Sequence, residues 1–157
     1  MPELKEGKAA PHFSLPSTEG REISLEEFKG KKNIVLYFYP KDNTPGCTQE
    51  SCDFRDLGPK FSKKDTVILG VSADSVKSHT GFQEKYKLPF PLLSDETRDV
   101  IKKYGLWKEK SLYGKKYMGI ERTTVIIDKK GNVNKIFPKV KVAGHAQEIL
   151  ETLAGLG

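Results

Sequence analysis

Two stretches of the chain are apolar almost without interruption. Asn33 to Tyr39 and Thr66 to Ser72 have strand length and no polar alternation, the pattern of strands buried on both faces. Between them, Cys47 to about Lys60 reads as a helix closed by Gly58-Pro59, since Gly and Pro mark helix ends. Ser75 to Lys87 has an amphipathic helical pattern, Leu92-Leu93 a short strand after Pro89 and Pro91, and Asp95 to Tyr104 a helix ended by Gly105. Upstream, Phe13 to Leu15 and Glu22 to Ser24 flank Thr18-Glu-Gly20 as a small hairpin. Ser24-Leu-Glu-Glu27 is a capping-box pattern that opens a short helix to Phe28. Downstream, Leu106 to Gly119 reads as a basic loop containing Trp107, Tyr113 and Tyr117. Arg122 to Asp128 and Val133 to Phe137 form a hairpin about a Gly turn, and Gly144 to Ala154 a last helix.

Two early strands joined through a helix imply a parallel pair with a right-handed crossover. The late hairpin adds antiparallel strands. The expected class is α/β: a mixed central sheet flanked by helices, with an N-terminal β-hairpin extension. That layout resembles a thioredoxin-like fold, although spacing alone does not separate it from other small α/β folds.

With 157 residues, the chain has the length of one domain spanning residues 1–157, long enough to bury a core without staples. Its 36% hydrophobic and 31% charged residues exclude collagen-like, disordered and disulfide-dense scaffolds. No apolar run reaches the roughly 18–20 residues of a membrane helix. The opening Met-Pro-Glu-Leu-Lys-Glu has no apolar core of a signal peptide, so the expected location is the cytoplasm. The net charge is +6, but of 27 basic residues only Arg21, Arg55, Arg98 and Arg122 are arginines. Arg is the better reader of phosphate, and the lysines are scattered among acids, so neither nucleic acid nor a membrane surface is an expected partner. No exposed apolar stripe announces an interface, and a monomer is expected.

The candidate chemistry lies in Tyr39-Pro-Lys-Asp-Asn-Thr-Pro-Gly-Cys-Thr-Gln-Glu-Ser-Cys52. Pro45 suits the first helical position and Thr44 the N-cap. Cys47 then falls in the first turn, where backbone N–H groups lack partners and the helix dipole is positive. Both favour the thiolate. Cys52 follows five residues later. On a helix that spacing turns the side chains about 140° apart and separates the Cα atoms by about 8–9 Å. A disulfide needs about 7 Å or less, so the two cysteines pair only if the helix unwinds. The run Gln49, Glu50, Ser51, Asp53, Arg55 and Asp56 suggests a segment that buries little apolar surface. Glu50 could cap, pair or orient Arg122. His12, His79 and His145 follow no metal-ligand spacing, so no metal or other cofactor is expected. His79 reads as solvated and His145 as a helix-start residue. The aromatics Trp107, Tyr113 and Tyr117 read as loop packing, one of them near the mouth of the cysteine site. A dithiol oxidoreductase is a competing reading, but its usual Cys-x-x-Cys signature does not occur.

Pro40-x-x-x-Thr44-x-x-Cys47 resembles the active-site motif of peroxiredoxins. Cys52, Pro45-Gly46-Cys47-Thr48, Tyr113-Gly114-Lys115 and Glu121-Arg122-Thr123-Thr124 resemble the peroxiredoxin Q or bacterioferritin-comigratory-protein branch, over nearly the whole chain. The resemblance implies a thiol peroxidase acting on hydrogen peroxide and organic hydroperoxides. It assigns Cys47 to attack on the peroxide and Cys52 to resolution of the sulfenic acid as an intramolecular disulfide. Arg122 keeps the sulfur ionised and stabilises the leaving oxygen. Thr44 hydrogen-bonds the peroxide, and Pro40 shields the nucleophile. A thioredoxin-like dithiol protein is the implied reductant.

Overall fold

The computed structural model describes residues 4–155; residues 1–3, the start of the polar opening read from the sequence, lie outside them. The elements in chain order are β1 (Ser14–Pro16), β2 (Glu22–Ser24), a 3-10 turn (Leu25–Phe28), β3 (Asn33–Phe38), α1 (Pro45–Ser62) and β4 (Thr66–Ser72). They continue with α2 (Val76–Tyr86), β5 (Leu92–Ser94), α3 (Asp99–Lys103), β6 (Trp107–Leu112), β7 (Lys115–Ile120), β8 (Thr123–Ile127), β9 (Val133–Phe137) and α4 (His145–Ala154).

The apolar runs form the centre of a five-stranded mixed sheet in the order β5-β4-β3-β8-β9. β3 pairs parallel with β4 and antiparallel with β8. Successive side chains of a strand alternate between faces. Ile34, Leu36 and Phe38 therefore pack with the β1–β2 hairpin and with Val100 and Ile101 of α3. Val35, Tyr37 and Tyr39 pack on the other face with Phe54 and Phe61 of α1, Phe82 of α2 and Ile149 of α4. The mixed sheet, the flanking helices and the N-terminal hairpin all match the sequence expectation. Gly70 in β4 admits Tyr37: a Cβ there would lie 2.9 Å from the Tyr37 hydroxyl oxygen and 2.8 Å from Leu92.

Three expectations are corrected. Helix α1 does not stop at Gly58-Pro59 but runs to Ser62, with Pro59 inside it. An interior proline costs about 3 kcal/mol; burial of Phe61, its ring tilted against Phe54 with centroids 5.9 Å apart, offsets much of this at about 1.5–3 kcal/mol. Helix α3 begins at Asp99 rather than Asp95, because Arg98 adopts φ 67°. The Asp95 carboxylate instead accepts the Ile101 N–H at 2.7 Å. Residues 107–120 are not a loop but a two-stranded ribbon turned at Tyr113-Gly114, with φ 51° and 78°, the left-handed pair that a tight hairpin turn requires. The ribbon is largely exposed on both faces, so no apolar alternation marks it in the sequence. Tyr113 at its tip is 98% exposed and Tyr117 about half exposed; only Trp107 packs, against the core and under Arg98.

Candidate active site

Strand β3 delivers the chain into the loop 40–44 and then into the start of α1. Pro45 occupies the first turn and Thr44 the N-cap in extended geometry. Cys47 is fully buried beneath this first turn. β8 lies beside β3, with Thr123 opposite Phe38, so Arg122, one residue before β8, emerges next to the same helix start. Its Nη2 donates to Cys47 Sγ at 3.1 Å and its Nη1 to Glu50 Oε1 at 2.6 Å. Gly46 leaves room for this approach: a Cβ there would sit 3.2 Å from Arg122 Nη2. The guanidinium fork thus spans the sulfur and the carboxylate at once, a geometry that only Arg offers.

Glu50 is the orienting partner that the sequence allowed. It is 2% exposed, and Oε2 has no protein partner. Burial pushes its carboxyl up to about 7, against the pull of Arg122. Lys110 of β6, half-buried, adds a second cation to this neighbourhood. Burial lowers its ammonium first, and the Arg122 charge lowers it further. Nothing in the sequence singled out Lys110, because its position depends on the ribbon.

Thr44 and Pro40 are both half-buried in the loop beside Cys47. The Thr44 hydroxyl does not cap the helix; Oγ1 donates to Lys41 O at 2.8 Å. Cys52 lies further along α1, half-buried, and burial pushes its thiol up. Both cysteines are free and share one uninterrupted helix. Tyr37 and Ser51 meet at 2.8 Å beneath this stretch, and Phe54 is fully buried. The segment is therefore better anchored than its polar sequence suggests.

Two histidines depart from their sequence reading. His79 is not solvated but fully buried, with Nδ1 2.7 Å from Asp42 Oδ2 and Nε2 2.9 Å from Leu93 O. His145 stands at the start of α4 as expected, yet its ring is buried, with Nε2 2.8 Å from Thr124 Oγ1. Burial holds the His145 ring below the usual imidazole range, with Glu148 opposing. Asp42 and His79 are 37 residues apart, and no local signal connects them.

Residues 7–136 match the AhpC/TSA family. The chain is 50% identical over 147 residues to Peroxiredoxin Bcp of Bacillus subtilis, covering 94% of this chain and 93% of that one. A mutant PrxQ of Xylella fastidiosa superposes with a TM-score of 0.92 at 36% identity, over 99% of this chain and 98% of that one. The Xanthomonas campestris bacterioferritin comigratory protein, described for its alkyl peroxide reduction activity, gives 0.86 at 44% identity over 91% and 90%. Their thioredoxin-type fold is shared, and the match runs through the Cys47 helix, the β3 loop and the Arg122 strand alike. The chain belongs to the AhpC/TSA family, among its peroxiredoxin Q and Bcp thiol peroxidases.

Proposed function

We propose that Cys47 is the peroxidatic nucleophile of this peroxidase, with Cys52 its resolving partner and Arg122, Thr44 and Pro40 completing the site. The observation that carries the reading is the Arg122 fork, 3.1 Å from a buried sulfur in the first turn of a helix. In the first step the Cys47 thiolate attacks one peroxide oxygen, the O–O bond breaks, and the electron pair leaves with the other oxygen, which takes up a proton as water or alcohol. Cys47 becomes a sulfenic acid. Charge moves from sulfur to the leaving oxygen, and the Arg122 guanidinium is placed to follow it. The Thr44 hydroxyl can turn from Lys41 O to the bound peroxide, while Pro40 limits access of water.

In the second step the Cys52 sulfur attacks the Cys47 sulfenic sulfur, an S–S bond forms and water leaves. A thioredoxin-like protein then reduces the bond by exchange, its own two thiols becoming a disulfide. The substrates are hydrogen peroxide and small organic hydroperoxides, in keeping with the alkyl peroxide reduction described for the Xanthomonas campestris relative. The chain acts as one domain and as a monomer in the cytoplasm. Among the described residues, the large exposed apolar side chains are confined to Leu112, Tyr113, Tyr117 and Met118 of the ribbon, and no helix is long and apolar enough to cross a membrane.

Peroxide consumption driven by a dithiol protein tests the assignment. Cys47→Ser should abolish it. Cys52→Ser should allow one turnover and then stop, unless a small thiol is supplied. Full turnover by Cys52→Ser with the dithiol protein alone would remove Cys52 from the cycle.

A further inference from the structure

The loop that carries Pro40 and Thr44 runs between β3 and α1 and joins the helix at Thr44, whose carbonyl accepts the Thr48 N–H at 2.9 Å. Its midpoint, Asp42, is 5% exposed and is tied down through its side chain. Asp42 Oδ1 accepts from the Tyr39 hydroxyl at 2.6 Å, and Oδ2 accepts from Ser78 Oγ at 2.8 Å. Its N–H donates to Asp74 Oδ2 at 2.9 Å, and Ser72 Oγ donates to that same oxygen at 2.5 Å. The remaining contact of Oδ2 is His79 Nδ1, at 2.7 Å.

The proton count at His79 follows from its partners. Leu93 O is a carbonyl and only accepts, so Nε2, 2.9 Å away, carries a proton. One more proton lies between Nδ1 and Asp42 Oδ2, whichever atom holds it. The titratable groups around the ring are Asp42 in the loop, Asp74 after β4 and Tyr39 at the end of β3. Ligand atoms of Asp42, Asp74 and His79 fall within 4.8 Å of one another, close enough for a metal. Each carboxylate already accepts hydroxyl or amide donors there, so the group is a closed hydrogen-bond network.

We propose that His79 is a positioning residue for peroxide reduction: through Asp42 it fixes the loop that places Pro40 and Thr44 over Cys47. This rests on the peroxidase reading above. His79 belongs to α2 and Leu93 to β5, so the network refers the loop to the rigid part of the fold. Without it the loop retains Asn43 at φ 63°, a conformation that costs free energy and needs outside support. A misplacement of about 1 Å at a reacting site can cost on the order of 10²-fold in rate.

Two amide substitutions separate the two ring nitrogens. In His79→Asn the amide nitrogen stands near the Nδ1 position and keeps a donor to Asp42. In His79→Gln it stands near the Nε2 position and keeps the bond to Leu93 O, but loses Asp42. In a Cys52→Ser background, the second-order reaction of Cys47 with hydrogen peroxide is compared with its alkylation by iodoacetamide, which needs the sulfur but not the loop. His79→Gln should lower the peroxide rate about 10- to 100-fold and leave alkylation within about threefold, whereas His79→Asn should stay near the parent for both. Equal losses in the two variants, or parallel losses in the two reactions, would assign His79 a packing role only. An unchanged peroxide rate in His79→Gln would also overturn the proposal. If neither variant folds, nitrogen-15 spectra of histidine-labelled parent protein decide instead: a His79 ring without a proton on Nε2 would break the network as drawn. A parent protein that failed to consume peroxide would defeat the peroxidase reading, not this proposal alone.

Discussion

One guanidinium holds both the Cys47 sulfur and the Glu50 carboxyl at this site, and the consequences differ for each. Arg122→Ala should slow peroxide reduction by about 10²-fold or more, the loss typical of removing a preorganised charge-stabilising donor. Arg122→Lys keeps the charge but cannot reach both Cys47 and Glu50, so its rate should fall between the two. Stopped-flow rates with hydrogen peroxide check both; parental kinetics in Arg122→Ala would exclude the residue from the chemistry. Glu50 carries a separate prediction, about stability. Its carboxyl, at about 7 in the folded chain against an ordinary 4.5, binds a proton more tightly folded than unfolded. The associated stability is complete below about pH 4.5 and is lost as the pH rises through about 7, by a few kcal/mol in order of magnitude. Glu50→Gln cannot ionise and should remove that part of the pH dependence. Urea midpoints at about pH 5 and about pH 8 should lie closer together in the variant than in the parent. Equal spacing in both would mean that Glu50 stays ionised throughout.

At the scale of elements, α1 carries both cysteines and stands in the way of the disulfide proposed between them. While it is intact, residues 47 and 52 keep Cα atoms about 8–9 Å apart, beyond the reach of an S–S bond. Oxidation must therefore break the first turns, and with them the Arg122–Glu50 pair and the buried Tyr37–Ser51 contact. Phe54, fully buried against Tyr37 at 4.9 Å between ring centroids, should stop the opening. Helical circular dichroism should fall on oxidation, and amide exchange should speed up from Cys47 to about Asp53 but not beyond Phe54. An oxidised protein with an intramolecular 47–52 bond and an undiminished helix would contradict the geometry. The cost of opening is moderate because Glu50 and Ser51 regain water as they leave the core, and elements of this kind supply local unfolding in folded proteins.

At the scale of the molecule, a central five-stranded sheet separates two cores. The β6–β7 ribbon gathers the large exposed apolar side chains of the described residues. Four side chains are few for a stable dimer interface, which usually draws on about 20–30 residues a side. Sedimentation velocity should give a single species near 17.6 kDa in the reduced state. A concentration-dependent dimer abolished by Tyr113→Ser would show that the ribbon is an interface.

Elements whose periodicity and punctuation are local could be read directly from the residues. The two apolar runs became β3 and β4 in full register, and Pro45 after Thr44 set the start of α1. The five-residue spacing of Cys47 and Cys52 on one helix was legible for the same reason, since helix geometry is fixed by the backbone. The resemblance to peroxiredoxins of the Q and bacterioferritin-comigratory-protein branch was legible in the motifs about Cys47 and Arg122. Tertiary structure decided the rest, because burial and pairing depend on distant partners. Pro59 stays inside α1 only because Phe61 finds a core, and the 107–120 segment becomes a ribbon only by pairing with itself. Glu50 and Ser51 look like solvated polar residues until β8 brings Arg122 to one and β3 brings Tyr37 to the other. His79, in a polar stretch of helix, is buried because Asp42 and Leu93 supply hydrogen-bond partners at both of its nitrogens. A polar side chain goes inside where its hydrogen bonds are met, and those partners come from elements far away in the chain.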